Sequence, residues 1–312
     1  MAPRVWLVTG TTSGIGLSLI TYIVSRGDKV IASGRNVESN LAHLKSDSLA
    51  LLELDISSDR DVIAQKVKEA WEVFGHIDIL FNNAGMSAMK SAEEADDDYI
   101  TKMFTANLFG HMTLTSLLLP LLRSSSAQQH HGSTIGFTSS SAGYVPLPFM
   151  SHYAASKAAL STYVESLHRE VSPLGINCVA FECGGFPTHL GQPRHPSASV
   201  FGTEGTSIPE AYGPGLGRLA GMFAADPMAY MPGDLVRIPS VIYDIMTRTG
   251  VAEHKPWGVR VLLGSDAYDS VKQKCEEMLT VMEEWKDVSK STDREGFGGT
   301  KEEYLKFVSI LD

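Results

Sequence analysis

A short apolar run that opens into a glycine-spaced loop and then into a helix restricts the fold of this chain more than any other feature. Val5-Trp-Leu-Val8 reads as a strand, Thr9-Gly-Thr-Thr-Ser-Gly-Ile-Gly16 as the loop, and Gly14 to Arg26 as a helix closed by Gly27-Asp28. Gly10, Gly14 and Gly16 let the backbone turn sharply and approach a ligand. Thr12, Ser13 and Ile15 fill the rest of the turn. The helix start then offers free N–H groups and the positive end of a dipole, which suits a pyrophosphate. A tight structural turn is the rival reading; the strand–loop–helix context favours a dinucleotide.

Downstream, strand-like and helical runs alternate. Further strands read at Lys29 to Ser33, Leu49 to Leu54, Ile77 to Phe81, Ser133 to Thr138, Ile176 to Phe181 and Gly258 to Leu263. Helices read at Asp59 to Phe74 (capped by Ser57 or Ser58), Asp97 to Leu122, Tyr153 to Ser172, from Pro232-Gly-Asp234 to Thr247, and Asp266 to Trp285. The expected class is α/β: a Rossmann-type doubly wound parallel sheet of about seven strands. Residues 1–265 are expected to form the dinucleotide-binding and catalytic domain and 266–312 a C-terminal helical extension. Within the first, residues 189–233 are rich in Gly, Pro, Ser and Ala, with Tyr212, Met222, Phe223, Met228, Tyr230 and Met231 among them. So long a segment inside a compact domain predicts a substrate lid.

The net charge of −10, with no basic stripe, argues against nucleic acid. Cys178, Cys183 and Cys275 have neither disulfide nor metal spacing, so free thiols and no metal are expected. The apolar stretch from Leu114 to Leu122 is too short for a bilayer and contains Pro120. A strand starting at Arg4 leaves no room for a leader, and the last residues form no targeting tripeptide. The expectation is a cytoplasmic protein without membrane contact.

Tyr153 and Lys157 are four residues apart and share one helix face. A neighbouring ammonium favours the phenolate, so Lys157 is expected to lower a phenol pKa that is ordinarily about 10. Ser140, at the end of the fifth strand, offers a hydroxyl near the phenol; Ser139 competes for that role. Asn107 lies inside a helix where Asn is a mediocre former, either as an ordinary polar position or at a kink that holds a water beside Lys157. Asn82-Asn-Ala-Gly85 ends the fourth strand, where ligands sit over doubly wound sheets and Asn side chains can tie strand ends together. After the second strand, Gly34 stands in place of the acidic residue of an NAD site and Arg35 follows, which favours a 2′-phosphate and hence NADP(H). Asp55 reads equally as an adenine partner or as part of the next helix start.

Thr-Gly-x-x-x-Gly-x-Gly, Asn-Asn-Ala-Gly, Ser and Tyr-x-x-x-Lys, in that order, resemble the short-chain dehydrogenase/reductase superfamily in its single-domain, non-extended class. The tail, Leu263-Gly-Ser-Asp-Ala267 with Glu284-Trp285 and Ser289-Lys-Ser-Thr-Asp293, resembles a microbial, often fungal, subgroup near 17-beta-hydroxysteroid and retinol dehydrogenases. The resemblance implies a catalytic tetrad of Asn107, Ser140, Tyr153 and Lys157. It implies NADP(H) contacts at Gly10, Thr12, Ser13, Gly14, Ile15, Gly16, Arg35, Asp55, Ile56, Asn83, Ala84, Gly85, Asn107, Tyr153, Lys157, Gly184, Phe186 and Thr188. Cys183 stands where the family has proline, and Pro187 where the subgroup often has arginine. Cys183 is either a reactive thiol or an inert packed one. The implied activity interconverts a ketone or aldehyde and an alcohol on a bulky, rather hydrophobic small molecule, in secondary metabolism among other settings. Rival readings are a tailoring enzyme that dehydrates, isomerises or cyclises with NADP(H) bound, and a redox-sensing binding protein. A homodimer or homotetramer through the helices after the fourth and fifth strands is also implied.

Overall fold

The computed structural model describes residues 2–126, 132–188, 190, 209–225 and 230–309. Its elements begin with β1 (Val5–Thr9), α1 (Gly14–Ser25), β2 (Lys29–Gly34), α2 (Val37–Leu41), β3 (Leu49–Glu53), α3 (Arg60–Phe74), β4 (Ile79–Asn82) and α4 (Asp97–Phe104). There follow α5 (Gly110–Ser126), β5 (Ser133–Ser140), α6 (Ser151–Val171), β6 (Ile176–Cys183), α7 (Gly213–Ala225), α8 (Ile238–Thr247) and β7 (Arg260–Leu263). The chain continues with α9 (Ser265–Glu284), α10 (Lys286–Lys290) and α11 (Glu302–Phe307).

Among the described residues the strands form one seven-stranded parallel sheet in the order β3-β2-β1-β4-β5-β6-β7. Every residue of β1 and β4 is buried, as expected when helices cover both faces of a sheet. On one face α1 and α8 pack Leu19, Ile20, Ile23, Ile242 and Met246 against Trp6, Val8 and Phe81. On the other, α3, α5 and α6 pack Ile63, Leu114, Leu118, Leu160 and Val164 against Leu7, Ile135 and Phe137. The chain order reverses between β1 and β4, so their carboxyl ends diverge into the crevice where such sheets bind ligands.

Three local expectations change. The helix read as continuous from Asp97 is interrupted by a π turn at Thr105–Phe109. The residue at the start of α3 is Asp59, without a side-chain cap, rather than Ser57 or Ser58; the Ser57 amide is instead taken by Asp55 Oδ1 at 2.9 Å. The helix expected from Pro232-Gly-Asp234 starts at Ile238, because Asp234 Oδ1 accepts the Val236 N–H in a turn and Pro239 suits the first helical turn.

Of the expected lid, residues 189, 191–208 and 226–229, including Met228, lie outside the described residues, as do the side chains of Met222 and Phe223. The remainder forms α7 and the approach to α8. The extension begins with α9, which buries Ala267 and Val271 and then projects. No helix among the described residues is long and apolar enough to cross a membrane.

Candidate active site

The loop after β1 turns through Gly10 at φ +68°, where a side chain is also blocked: a Cβ would lie 2.7 Å from the Ala84 Cα. A Cβ on Gly16 would lie 2.3 Å from the Gly10 carbonyl oxygen. Ser13 stands at the start of α1 but makes no capping bond, so its side chain leaves the first-turn N–H groups to a ligand. A glycine-walled turn with uncapped helix amides is the kind of backbone that suits an anion such as pyrophosphate.

The loop is fixed to its neighbours by side chains. Thr11 donates its hydroxyl and its amide to the Ser33 carbonyl at the end of β2. Asn83 donates to the carbonyls of Thr9 (3.0 Å) and Gly10 (3.1 Å) and accepts from the Thr138 hydroxyl (3.0 Å). One asparagine thereby ties the ends of β1, β4 and β5 together, as its position predicts.

Past β2, Arg35 and Asp55 face each other at 3.9 Å with about half of each side chain exposed. Such a pair is weak and leaves the guanidinium available. The turn carrying Arg35 is held by Glu53, whose carboxylate accepts the amides of Asn36 (2.8 Å) and Glu38 (2.9 Å). Asp55 also serves the approach to α3 by accepting the Ser57 amide, the helix-start role of its two readings. Ile56 is buried against α5, whose Gly110 leaves no room for a side chain: a Cβ there would lie 2.2 Å from the Ile56 carbonyl oxygen.

Asn107 sits in the π turn, fully buried. Its amide donates to the Met86 carbonyl (2.9 Å) and the Ser156 hydroxyl (3.0 Å), and its oxygen accepts the Met86 N–H (2.8 Å). Ser156 in turn donates to the Tyr153 carbonyl at 2.7 Å. The kink reading of Asn107 thus has a concrete form. The residue pins the segment after β4 to α6, and its oxygen and the Lys157 ammonium flank Gly85, 3.1 and 3.7 Å from where a Cβ would stand.

Ser139 and Ser140 separate cleanly. Ser139 is buried and bonded to the Lys157 carbonyl (3.2 Å) and Ser161 (2.8 Å). Ser140 points to the other side, donating to the Cys183 carbonyl at 3.3 Å, with its hydroxyl near enough to the Tyr153 phenol to favour the phenolate. Lys157 Nζ donates to the Thr138 carbonyl at 2.8 Å and lies 5.9 Å from the Tyr153 ring centre.

The titration behaviour departs from expectation. Burial pushes the Tyr153 phenol up to about 12, with the Ser140 hydroxyl opposing. Burial also draws Lys157 down to about 8. Desolvation is the largest cause of both shifts, because both groups are withdrawn from water. The Cys183 thiol is buried, donates to the Phe181 carbonyl and is likewise pushed up to about 12 by burial, which fits the inert packed thiol of the two readings.

His111 was not singled out by the sequence. It is fully buried on α5, with its ring nitrogens 2.7 Å from the Ala84 carbonyl and 3.3 Å from Asn82 Oδ1. Burial and the nearby Lys157 charge hold it down to about 3, so it is neutral. A lone histidine in a helical run carries no signal for this contact. Buried Glu182 on β6 is a second such residue: Arg260 pairs with it and with Glu165 (2.9 Å) and stacks 4.2 Å from the Tyr144 ring centre.

After β6, Gly184 donates to the Leu263 carbonyl at 2.8 Å, and the chain folds back through Phe186. Thr188 comes to rest beside Gly14, where a Cβ would lie 3.1 Å from its methyl group. Residues from both halves of the sequence therefore gather over the carboxyl ends of β1, β4, β5 and β6.

A model of the short chain dehydrogenase family matches residues 4–198. The oxidoreductase BOA17 of Botryotinia fuckeliana is 30% identical over 289 residues, spanning 92% of this chain and 98% of that protein. The NADPH-dependent 1-acyldihydroxyacetone phosphate reductase of Saccharomyces cerevisiae is 32% identical over 203 residues, spanning 64% of this chain and 66% of that protein. A short-chain dehydrogenase from Streptomyces avermitilis superposes with a TM-score of 0.77 at 28% identity, covering 94% of this chain and 100% of its own. With the sheet order, the glycine loop and the Ser–Tyr–Lys cluster in place, the chain belongs to the short-chain dehydrogenase family and is an oxidoreductase of that family.

Proposed function

We propose that the protein is an NADP(H)-dependent oxidoreductase that interconverts a ketone or aldehyde and an alcohol on a bulky, fairly hydrophobic small molecule. The observation that carries this reading is the buried Tyr153–Lys157 pair on one turn of α6, with Ser140 at the end of β5 and Lys157 bonded to the Thr138 carbonyl, at the strand ends that face the glycine loop. When bound, the nicotinamide supplies the hydride. Arg35, half-exposed and only loosely paired, is the residue available for a 2′-phosphate, and the S. cerevisiae relative carries NADPH dependence in its name.

In the reductive direction Tyr153 is the proton donor. A phenol held at about 12 is fully protonated at neutral pH, so it is ready to give its proton to the developing alkoxide. Ser140, which can donate to the same oxygen, steadies the charge as it forms. Lys157 makes the departing phenolate less costly and holds the ribose. Asn107 fixes the segment around Gly85 beside Lys157 and anchors the water that carries a replacement proton inward. Gly14, Gly16 and Thr188 orient the dinucleotide. The apolar and aromatic residues of the lid, Tyr212, Tyr230 and Met231 among them, support a hydrophobic substrate.

The test is steady-state turnover of Tyr153→Phe on a carbonyl compound that the wild type reduces with NADPH. A fall of about a hundredfold or more is expected for loss of a general acid, with cofactor binding retained. Turnover within a few-fold of wild type would remove Tyr153 from this role.

A further inference from the structure

The loop that follows β6 is gripped from the C-terminal helix. Asp266, in the first turn of α9, accepts the Gly185 N–H on Oδ2 at 2.7 Å. Its other oxygen, Oδ1, is buried and has no hydrogen-bond partner among the described residues. That oxygen fills space which side chains would otherwise take. A Cβ on Gly184 would lie 2.3 Å from it, and a Cβ on Gly264 2.5 Å from it. Burying a carboxylate oxygen without a partner costs stability, and a neutral side chain would fill the same space without that cost. The first turn of a helix is where a negative charge is best tolerated, which anchors the carboxylate at this end of α9.

On its other side the loop meets the segment returning from the lid. Gly233 donates to the Gly185 carbonyl at 2.9 Å, and a Cβ on Gly185 would lie 2.5 Å from the Tyr230 carbonyl oxygen. The loop is therefore clamped between α9 and the lid's return, and three residues beyond Gly185 the chain delivers Thr188 to Gly14.

We propose that Asp266 is a positioning residue for the nicotinamide half of the cofactor. Through Gly185 it sets where the Gly184–Thr188 loop stands relative to the glycine loop, which makes the start of the C-terminal extension part of the cofactor site. This rests on the NADP(H) reading above.

The experiment compares two ligands on the full-length protein: NADPH, and 2′,5′-ADP, which lacks the nicotinamide half. Asp266→Ala is expected to weaken NADPH about tenfold, the loss that follows from removing one charge-assisted hydrogen bond, while 2′,5′-ADP changes less than about twofold. Asp266→Asn, which keeps an acceptor for Gly185, falls between Asp266→Ala and wild type. Gly184→Ala, whose methyl intrudes on the carboxylate, reproduces the selective loss with Asp266 retained, so the test does not depend on one variant folding. Equal weakening of both ligands would mark Asp266 as merely structural and overturn the proposal, as would unchanged NADPH affinity in Asp266→Ala. Wild-type protein that bound neither NADPH nor NADH would instead sink the cofactor reading itself. If NADH is the ligand, NADH and AMP make the same comparison.

Discussion

Tyr153 and Lys157 show how far a residue pair can be read from its spacing. Their shared helix face follows from a four-residue separation, but their protonation does not, because it depends on how much water the fold excludes. Burial brings Lys157 from an ordinary 10.5 down to about 8, which amounts to about 3 kcal/mol of lost stability while the group is charged. Lys157→Met removes that cost together with the hydrogen bond to the Thr138 carbonyl, worth about 1 kcal/mol. The variant is therefore expected to melt higher than wild type at pH 7 while losing turnover. The folded protein gives up the lysine proton near pH 8 and the unfolded chain near 10.5, so wild-type stability gains with pH across that window. The advantage of Lys157→Met should shrink over the same window, as thermal melts at pH 7 and pH 10 would reveal; an unchanged difference would mean that Lys157 is not desolvated as described. Arg35 is a second residue whose role is read from chemistry and position. Arg35→Ala should weaken NADPH about tenfold or more and leave NADH within about twofold, measured as KM or Kd. Equal effects on both would exclude a 2′-phosphate contact.

At the level of elements, the glycine loop and the strands were legible because their patterns are local. The π turn was not. Asn107 was visible as a poor helix former and a candidate kink, but the contacts that use it come from Met86 and Ser156, on other elements. The Ser139 and Ser140 choice is similar: neighbours in a strand point to opposite faces, and only the packing of α6 tells which face holds Tyr153. The Glu182–Arg260–Glu165 group joins β6, β7 and α6 across long sequence separations. Removing its centre leaves buried Glu182 uncompensated, so Arg260→Ala should destabilise by about 3–5 kcal/mol in chemical denaturation. The double variant Arg260→Met with Glu182→Gln should recover much of that loss. A loss below about 1 kcal/mol for Arg260→Ala would mean that the ion pair is not holding β7 to β6.

Across the whole molecule, one sheet separates two hydrophobic layers, and single positions feel both its width and its cover. Gly136 on β5 has no space for a methyl group: a Cβ would lie 2.7 Å from both the Met246 sulfur of α8 and the Phe81 ring of β4. Gly136→Ala should cost about 1–3 kcal/mol by overpacking, read as a lower thermal midpoint; an unshifted midpoint would show that α8 can move away. The sequence by itself determined the parallel α/β class, the nucleotide loop, the Tyr–Lys helix and the order in which they follow. It could do so because periodicity, glycine spacing and chain order are local properties. Only the tertiary structure decided which serine faces the phenol, why Asn107 stands in a π turn and how His111 is kept neutral. It alone brought Asp266 of the C-terminal helix to Gly185, eighty-one residues earlier. Those outcomes depend on burial and on contacts between distant segments, and neither is written in any one stretch of the chain.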